Sequence, residues 1–240
     1  MTGLPRAILF DLDDTILSAY GRPDLAWRAV TRDFATALAP FATDDIALAI
    51  NAHARDFWAD AARHKQWRQN LTEARREIVA AALKSLAGDA RFDAGLVNAL
   101  ADRFTTLRDE EMKFFPGAIE TVDELKSRGV LLALVTNGAA ETQRGKIARF
   151  DLAHRFHHIQ IEGEHGFGKP EERAYLHAMA TLGVEPHETW MVGDNLEWEV
   201  AAPQRLGIHA IWHDPHGEGL PEGSTVKPDR IIRSLTELLP

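Results

Sequence analysis

Carboxylates, a hydroxyl, an amide, glycines and a lysine occur together in four short stretches of this 240-residue chain. The stretches are Asp11-Leu12-Asp13-Asp14-Thr15, Thr136-Asn137-Gly138, Gly168-Lys169-Pro170 and Gly193-Asp194-Asn195. Two carboxylates with a backbone carbonyl form a hard oxygen site that suits Mg²⁺, which also binds substrate phosphate. The hydroxyl, amide and glycine N–H groups can donate to phosphate oxygens, and the ammonium supplies positive charge. One carboxylate can attack phosphorus while another acts as acid and then base, so the set predicts metal-assisted phosphoryl transfer.

Each of the four stretches follows a predicted β-strand, directly or within the next loop. Strands are predicted at residues 7–10, Val130–Val135, His157–Ile161, Thr189–Val192 and His209–Trp212, with Ile231-Ile232 as an edge strand. Helices are predicted at Ala118–Ser127, Thr142–Arg149, Glu171–Leu182 and Leu196–Leu206. This alternation predicts a parallel sheet covered on both faces, in which ligands bind beyond the carboxyl ends of the strands. The four stretches are therefore expected to meet at one edge of the sheet.

A long helical segment separates the first predicted strand from the rest. Apolar residues at 3–4 spacing predict four helices in a row between about Arg22 and Met112, without a strand. Such a run forms its own bundle. We therefore predict an α/β fold, with a Rossmann-like doubly wound parallel sheet as the core (residues 1–17 and 113–240) and an inserted four-helix cap domain (residues 18–112).

The composition excludes several classes of protein. Hydrophobic residues make up 45% of the chain and the net charge is −9, which argues against extensive disorder and against nucleic acid or an anionic membrane as partner. The chain has 0 cysteines, so disulfides, thiolate metal sites and cysteine nucleophiles are excluded. No apolar stretch approaches the ~20 residues of a membrane span, and the N-terminus does not resemble a signal peptide. We expect a cytoplasmic monomer or homodimer with a small-molecule substrate.

The four stretches, in this order, resemble the motifs of the haloacid dehalogenase-like hydrolase superfamily, in particular its phosphatase branch with a helical cap. Two segments are most similar to the N-acylneuraminate-9-phosphatase and pyrimidine 5′-nucleotidase groups, and less closely to the phosphoglycolate phosphatases. These segments are Thr136-Asn137-Gly138 through Gln143-Arg144 and Lys146, and Met191-Val192-Gly193-Asp194 through Gly207.

The resemblance implies a role for each motif residue. Asp11 is expected to be the nucleophile that becomes an aspartyl phosphate, and Asp13 to protonate the leaving alcohol and then activate water. Lys169 is expected to balance the charge at the nucleophile. The phosphate is expected to bind at the second motif, by Thr136, Asn137 and Gly138. Mg²⁺ is expected at the carboxylate of Asp11, the main-chain oxygen of Asp13 and the carboxylate of Asp194.

The fourth motif departs from the family pattern. Trp198-Glu199 stands where the family usually has an Asn-Asp or similar pair. Glu199 keeps the charge but is one methylene longer, and we therefore leave it out of the expected metal ligands.

The leading hypothesis is a phosphomonoesterase for a small phosphorylated metabolite, such as a sugar phosphate or a nucleoside monophosphate. A sugar-phosphate mutase of the same superfamily would keep both Asp11 and Asp13 and stays an alternative. A non-enzymatic phospho-acceptor module is a second alternative, although a helical insertion of about 90 residues is typical of a lid over a reaction. A binding protein without catalysis would be expected to lose one of the two aspartates.

The cap is expected to select the substrate, but its contact residues do not follow from spacing. Tyr20, Arg22, Arg63, His64 and Arg68 are the polar candidates, and each alone is more typical of a surface position. Glycines flank both connections, near Leu17–Gly21 and Lys113–Gly117, and predict a hinge.

Overall fold

The computed structural model describes residues 3–19, 22–88 and 92–240 of the chain. The chain divides into two compact units, one formed by Met1–Ser18 with Lys113–Pro240 and the other by Ala19–Met112. Tyr20 and Gly21, named above as a cap contact and as part of a hinge, lie outside the described residues. Within the described ranges, no helix combines the length and the apolar character that crossing a membrane requires.

The first unit contains eight strands among its described residues. They are β1 (Ala7–Phe10), β2 (Leu17–Ser18), β3 (Lys113–Phe114), β4 (Leu131–Thr136), β5 (His158–Ile161), β6 (Thr189–Gly193), β7 (His209–His213) and β8 (Arg230–Ile232). Six of them form one sheet in the order β5-β4-β1-β6-β7-β8, and every neighbouring pair in it is parallel. The predicted α/β fold with a parallel sheet is confirmed, and β8 is the edge strand expected at Ile231-Ile232.

β2 and β3 form a separate two-stranded antiparallel ladder that the sequence did not predict. Leu17 pairs with Phe114 and Ser18 with Lys113. The ladder joins the two places where the chain leaves and re-enters the first unit. A two-residue strand has too few residues to show an alternating pattern, which is why periodicity missed it.

All the regular secondary structure among the described residues of the second unit is helical. Its helices are α1 (Pro23–Asp33), α2 (Ala35–Leu38), α3 (Thr43–Ala59), α4 (Ala61–Trp67), α5 (Leu71–Ala87) and α6 (Ala94–Glu111). The helices α3, α5 and α6 follow the predicted apolar spacing. The first predicted helix, with its apolar residues from Trp27 to Phe41, divides into α1 and α2, and α4 is an additional short helix. α5 begins as expected, because the Asn70 side chain accepts a hydrogen bond from the N–H of Glu73. Trp27 stacks on Phe104 with ring centroids 4.0 Å apart in the core of this unit.

The cap candidates of this unit differ in exposure. Arg68 is buried, at 7% exposure, so the surface position that is typical of an arginine does not apply to it. Arg22 is exposed and pairs with Asp24 at 3.2 Å. Arg63 is exposed on α4, and His64 is half-buried beside it.

The helices of the first unit lie between its strands in sequence. They are α7 (Ala118–Ser127), α8 (Ala140–Arg149), α9 (Glu162–His165), α10 (Glu172–Leu182) and α11 (Ala202–Arg205). All four residues of β1 are fully buried, as expected for a central parallel strand that is covered on both faces. Tyr175 and Met179 of α10 belong to the same apolar cluster as Leu9 of β1.

The helix predicted at Leu196–Leu206 forms, but it is not an α-helix throughout. It begins as a π-helix at Leu196–Ala201 and continues as α11. Pro203 has no N–H, so the π-type bond from residue 203 to the carbonyl of Trp198 cannot form. The Tyr175 hydroxyl donates to that carbonyl instead. Pro203 and the distant Tyr175 thus accommodate the π-helix, whereas the apolar spacing alone predicts an ordinary α-helix.

Candidate active site

The parallel register brings three of the four motifs to one edge of the sheet. Phe10, the last residue of β1, is paired with Leu134 of β4 on one side and Val192 of β6 on the other. The stretches that begin at Asp11, Thr136 and Gly193 therefore leave neighbouring strands at the same end. This is the end at which parallel sheets bind ligands.

Lys169 brings the third motif to the same place. Its side chain is fully buried, and its Nζ lies 2.5 Å from Oδ1 of Asp11 and 2.8 Å from Oε1 of Glu199. Burial alone would lower the pKa of Lys169, but the two carboxylates raise it. The ammonium group is therefore charged and lies between two acidic side chains.

Asp11 presents its two carboxylate oxygens to different partners. Oδ1 contacts Lys169, while Oδ2 accepts a long hydrogen bond of 3.4 Å from the Thr15 hydroxyl. Burial raises the pKa of the Asp11 carboxyl, and Lys169 opposes that shift. Oδ1 is therefore held by the Lys169 ammonium, while Oδ2 accepts only one long hydrogen bond. A carboxylate oxygen with so few contacts is suited to act as a nucleophile.

Glu199 is a partner of Lys169, a role that its motif position did not reveal. Its Oε2 accepts from the N–H of Asn195 at 2.8 Å, and burial raises the pKa of its carboxyl to about 7 against the opposing effect of Lys169. Gly193 provides the space for the longer side chain, because a Cβ there would lie 2.0 Å from Cγ of Glu199. The extra methylene relative to aspartate is therefore accommodated by a glycine at the end of β6.

Gly193→Ala is expected to lower the free energy of unfolding by about 1–3 kcal/mol, the range for an overpacked core position. The added methyl group must displace Glu199 or the end of β6. Urea denaturation measures the loss. Gly145→Ala on α8 is the matched control, since a Cβ there meets no atom within 4 Å; a helical Gly→Ala change of this kind is stabilising. Equal stability of Gly193→Ala and the parent protein would contradict this packing.

The side-chain amide of Asn137 and the N–H of Gly138, both in the second motif, have protein partners in the structure. The Asn137 side chain accepts from the N–H of Lys169 at 2.9 Å and donates to its carbonyl at 2.7 Å. The N–H of Gly138 donates to Oε2 of Glu162 at 3.0 Å. The Asn137 side chain therefore fixes the backbone of Lys169, whose ammonium group is buried. The N–H of Gly138 connects the second motif to Glu162 in the same way.

The carboxylate of Asp13 forms an ion pair with a lysine of helix α8. Lys146 of α8 places its Nζ 2.7 Å from Oδ1 and 2.7 Å from Oδ2 of Asp13. Gln143 donates to Oδ2 of Asp13 at 3.1 Å and to the Thr136 hydroxyl at 2.5 Å. Gln143 and Lys146 belong to a segment that carries the family resemblance, but the resemblance implied no role for either residue.

Two signals in the sequence could have identified these additional residues. Gln143 and Lys146 are three residues apart on a predicted helix, so they share a face, and that helix starts directly after a strand-end motif. Glu162 is the first residue after a predicted strand, where the same strand-end rule selects candidates.

The carboxyl group of Asp194 lies in an environment that is unfavourable for its negative charge. Burial raises the pKa of its carboxyl well above the usual range, and the carboxylates of Glu199 and Asp11 add to the shift. Its main-chain oxygen accepts from the Trp212 indole at 2.6 Å, but within the described part of the chain its carboxylate receives no hydrogen bond. A half-buried carboxylate without a donor, beside further acids, is suited to a cation.

The expected magnesium ligands fit this environment. Asp11 and Asp194 offer carboxylate oxygens, and the expected third ligand is a main-chain oxygen of Asp13. No cluster of three or more histidine, aspartate or glutamate side chains with metal-binding geometry occurs in the ranges that the structure describes. The expected set is of a different kind, with two carboxylates and one carbonyl, and its hard oxygens match the preference of Mg²⁺.

Curated relatives of the chain are phosphatases with different substrates in their names. A phosphoserine phosphatase from Thermus thermophilus is 39% identical over 125 residues, which are 52% of this chain and 49% of the relative. A glyceraldehyde 3-phosphate phosphatase from Methanothermobacter thermautotrophicus is 24% identical over 206 residues, covering 86% and 84%. An N-acylneuraminate-9-phosphatase from Rattus norvegicus is 36% identical over 110 residues, covering 45% and 44%. The chain spans about half the length of the first curated relatives that it matches.

Solved structures share the fold over nearly the full length. The HAD-hydrolase YfnB from Bacillus subtilis, bound to magnesium, has a TM-score of 0.73 at 23% identity, and the match covers 98% of this chain and 97% of that one. A 2-haloacid dehalogenase from Pseudomonas syringae has a TM-score of 0.59 at 24% identity, with 98% and 96% covered. The family description of haloacid dehalogenase-like hydrolases matches residues 5–207. The resemblance predicted from the four motifs is confirmed: the chain belongs to the haloacid dehalogenase-like hydrolase family.

Proposed function

We propose that the chain is a Mg²⁺-dependent phosphomonoesterase that hydrolyses a small phosphorylated metabolite through a phosphorylated Asp11. The observation that carries this proposal is the contact between Asp11 and the fully buried Lys169, at 2.5 Å, at the end of the central strand. A buried cation on one oxygen leaves the other oxygen to attack phosphorus.

The proposed reaction has two displacements. In the first, Oδ2 of Asp11 forms a bond to phosphorus and the bond from phosphorus to the leaving oxygen breaks, while Asp13 gives that oxygen its proton. In the second, Asp13 takes a proton from water, the water oxygen bonds to phosphorus, and the bond to Asp11 breaks. Inorganic phosphate and the regenerated carboxylate result. Lys169 lowers the repulsion between the Asp11 carboxylate and the phosphate dianion.

The carboxylates of Asp11 and Asp194 and the main-chain oxygen of Asp13 are the proposed magnesium ligands. When bound, Mg²⁺ supplies charge neutralisation for the phosphate oxygens. The carboxylates of Glu199 and Asp11 lie near Asp194 with Lys169 as the cation between them, and this excess of acids supports the assignment. The proposed phosphate ligands of the second motif are Thr136, Asn137 and Gly138, which stand at the end of β4 and directly after it, on the strand that neighbours β1.

The substrate class follows from the relatives only as a proposal. Their names include phosphoserine, glyceraldehyde 3-phosphate and N-acylneuraminate 9-phosphate, all small phosphate monoesters. We therefore propose a sugar phosphate, a nucleoside monophosphate or a phosphorylated small acid as substrate.

Phosphate release from a substrate panel tests the function. The panel contains the three esters named above, sugar phosphates, nucleoside monophosphates and 2-phosphoglycolate, each with and without Mg²⁺. We expect metal-dependent release from at least one small ester. A phosphorylated protein that accumulates without turnover would instead identify a phospho-acceptor module, and phosphate transfer to a second hydroxyl of the sugar would identify a mutase.

Removal of the metal is expected to abolish phosphate release, and added Mg²⁺ to restore it. Ca²⁺ is expected to restore it poorly, because it takes more ligands at longer distances and alters the geometry of the attacking carboxylate. Titration of EDTA-treated protein with each ion, while phosphate is measured, makes the comparison. Asp194→Asn is expected to require a higher Mg²⁺ concentration, whereas Asp123→Asn on α7 is the surface control. Full activity in EDTA would contradict the metal proposal.

A further inference from the structure

A side-chain network connects the proposed general acid to the second motif. Its members are Lys146, Asp13, Gln143 and Thr136, and in this order successive side chains lie 2.7, 3.1 and 2.5 Å apart. Gln143 and Lys146 both project from α8, one turn apart. The helix begins four residues after Thr136, so a single rigid element connects the two motifs.

Lys146 is buried to an extent that is unusual for a lysine. Its side chain is 8% exposed, and both Asp13 oxygens lie 2.7 Å from its Nζ. A lysine removed from water needs an anionic partner of good geometry. The contact with both oxygens sets the rotation of the Asp13 carboxylate as well as its place.

Gln143 restricts the same carboxylate from a second direction. Its Nε2 lies 3.1 Å from Oδ2 of Asp13, 2.5 Å from the Thr136 hydroxyl and 2.9 Å from the carbonyl of Asn137. A side-chain amide has two hydrogens for these three acceptors, so both hydrogens are engaged within the network. Gln143 is 2% exposed, which leaves it little freedom to move.

We infer that Lys146 and Gln143 are positioning residues for acid–base catalysis by Asp13, an inference that rests on the proposed phosphatase function. An acid transfers its proton only when it lies within hydrogen-bond reach of the leaving oxygen. Lys146 and Gln143 fix Asp13 relative to Thr136, and hence relative to a phosphate bound at the second motif. Lys146 has three N–H donors and keeps hold of one Asp13 oxygen while the other transfers the proton.

The test compares two substrates that differ in their need for a proton. An alkyl phosphate releases an alkoxide that must be protonated, whereas 4-nitrophenyl phosphate releases an anion that is stable without it. The ratio kcat/KM covers the steps up to departure of the leaving group. It therefore reports the acid step without the later attack by water.

Lys146→Met is expected to lower kcat/KM for the best alkyl phosphate by about 10²-fold, within the range for a lost acid–base contribution. For 4-nitrophenyl phosphate the loss is expected to stay below about threefold, since no proton is needed. Gln143→Leu is expected to lower kcat/KM with the same selectivity for the alkyl phosphate, but by a smaller factor. Asp13→Asn defines the full selective effect. If Lys146→Met does not fold, Lys146→Gln replaces it, because the smaller glutamine keeps a hydrogen-bond donor but not the charge.

Arg144→Met is the matched control on the same helix. Arg144 also makes two contacts of 2.7 Å with one carboxylate, that of Glu164, and both side chains are more exposed than Lys146. We expect its kcat/KM to remain within about twofold of the parent for both substrates, because it contacts no group of the acid–base step.

Equal losses on both substrates in folded Lys146→Met would show a structural role only and overturn the inference. So would unchanged kcat/KM on both. These outcomes differ from failure of the proposed function, in which the parent protein itself releases no phosphate from any ester, or in which Asp13→Asn lacks the selective effect.

Discussion

Replacement of Asp11 by Asn is expected to reduce phosphate release by at least about 10⁴-fold, because an amide lacks the negative charge needed to attack phosphorus. The change preserves the size of the side chain. Lys169 keeps its contact with Glu199, at 2.8 Å, so the buried ammonium retains an anionic partner. Turnover on the best substrate of the panel measures the effect, and phosphorylation of the intact protein, followed by mass spectrometry, should disappear with it.

The comparison needs a variant with the same chemical change outside the site. Asp123→Asn on α7 serves, since Asp123 is half exposed and pairs with Arg155 at 2.9 Å. It is expected to retain parental turnover. If folded Asp11→Asn keeps more than a few per cent of the activity, the covalent mechanism proposed for Asp11 is wrong.

Lys169→Met is expected to have the second largest effect, on both activity and stability. Loss of one preorganised charge on the reacting groups reduces turnover by about 10²–10³-fold. The variant also leaves the carboxylates of Asp11 and Glu199 buried without their cation. Removal of one partner from a buried pair lowers the free energy of unfolding by about 3–5 kcal/mol. Urea denaturation in EDTA, with turnover measured on the same preparation, tests both.

The stability loss of Lys169→Met has a predicted dependence on pH. The pKa of Glu199 is raised to about 7 in the folded protein by burial, against a usual value of 4.5. A group of this kind contributes stability that is fully present below its unfolded pKa and is lost as pH rises through the folded pKa. Lys169 lowers the pKa of Glu199 in the parent protein, so its removal raises that pKa further and leaves Glu199 neutral at pH 5. We therefore expect the variant to be less destabilised at pH 5 than at pH 8.

A double variant separates the contributions of the pair. Lys169→Met with Glu199→Gln removes one of the two unpaired charges, so it is expected to be more stable than Lys169→Met at pH 8 and equally inactive. Equal stability of Lys169→Met and the parent protein would mean that the buried ion pairs do not support the fold.

Local patterns were sufficient for the framework of the site. The run Ala7–Phe10 followed by Asp11 is a buried central strand with an acid at its end, and the alternation after Gly117 is the parallel sheet that was predicted. Strand and helix periods depend on neighbours in sequence, which is why they can be read from it. The strand-end rule then selected Asp11, Thr136 and Asp194 without any knowledge of their contacts.

The partners of these residues depend on elements that are far apart in the chain. Asp13 pairs with Lys146, 133 residues away, and Lys169 with Asp11, 158 residues away. The Asn137 side chain holds the backbone of Lys169, 32 residues away. Such contacts are set by the packing of helices on the sheet, which no local spacing encodes.

The sequence by itself determined the family, the parallel sheet and the acids at the strand ends, because each rests on short-range pattern and residue type. The tertiary structure alone decided how those acids are held. Glu199 forms an ion pair with Lys169 in the space that Gly193 leaves. Lys146 forms an ion pair with Asp13, and Gln143 donates a hydrogen bond to it. Buried charges must be paired within a protein, and their pairing is decided only when distant segments pack together.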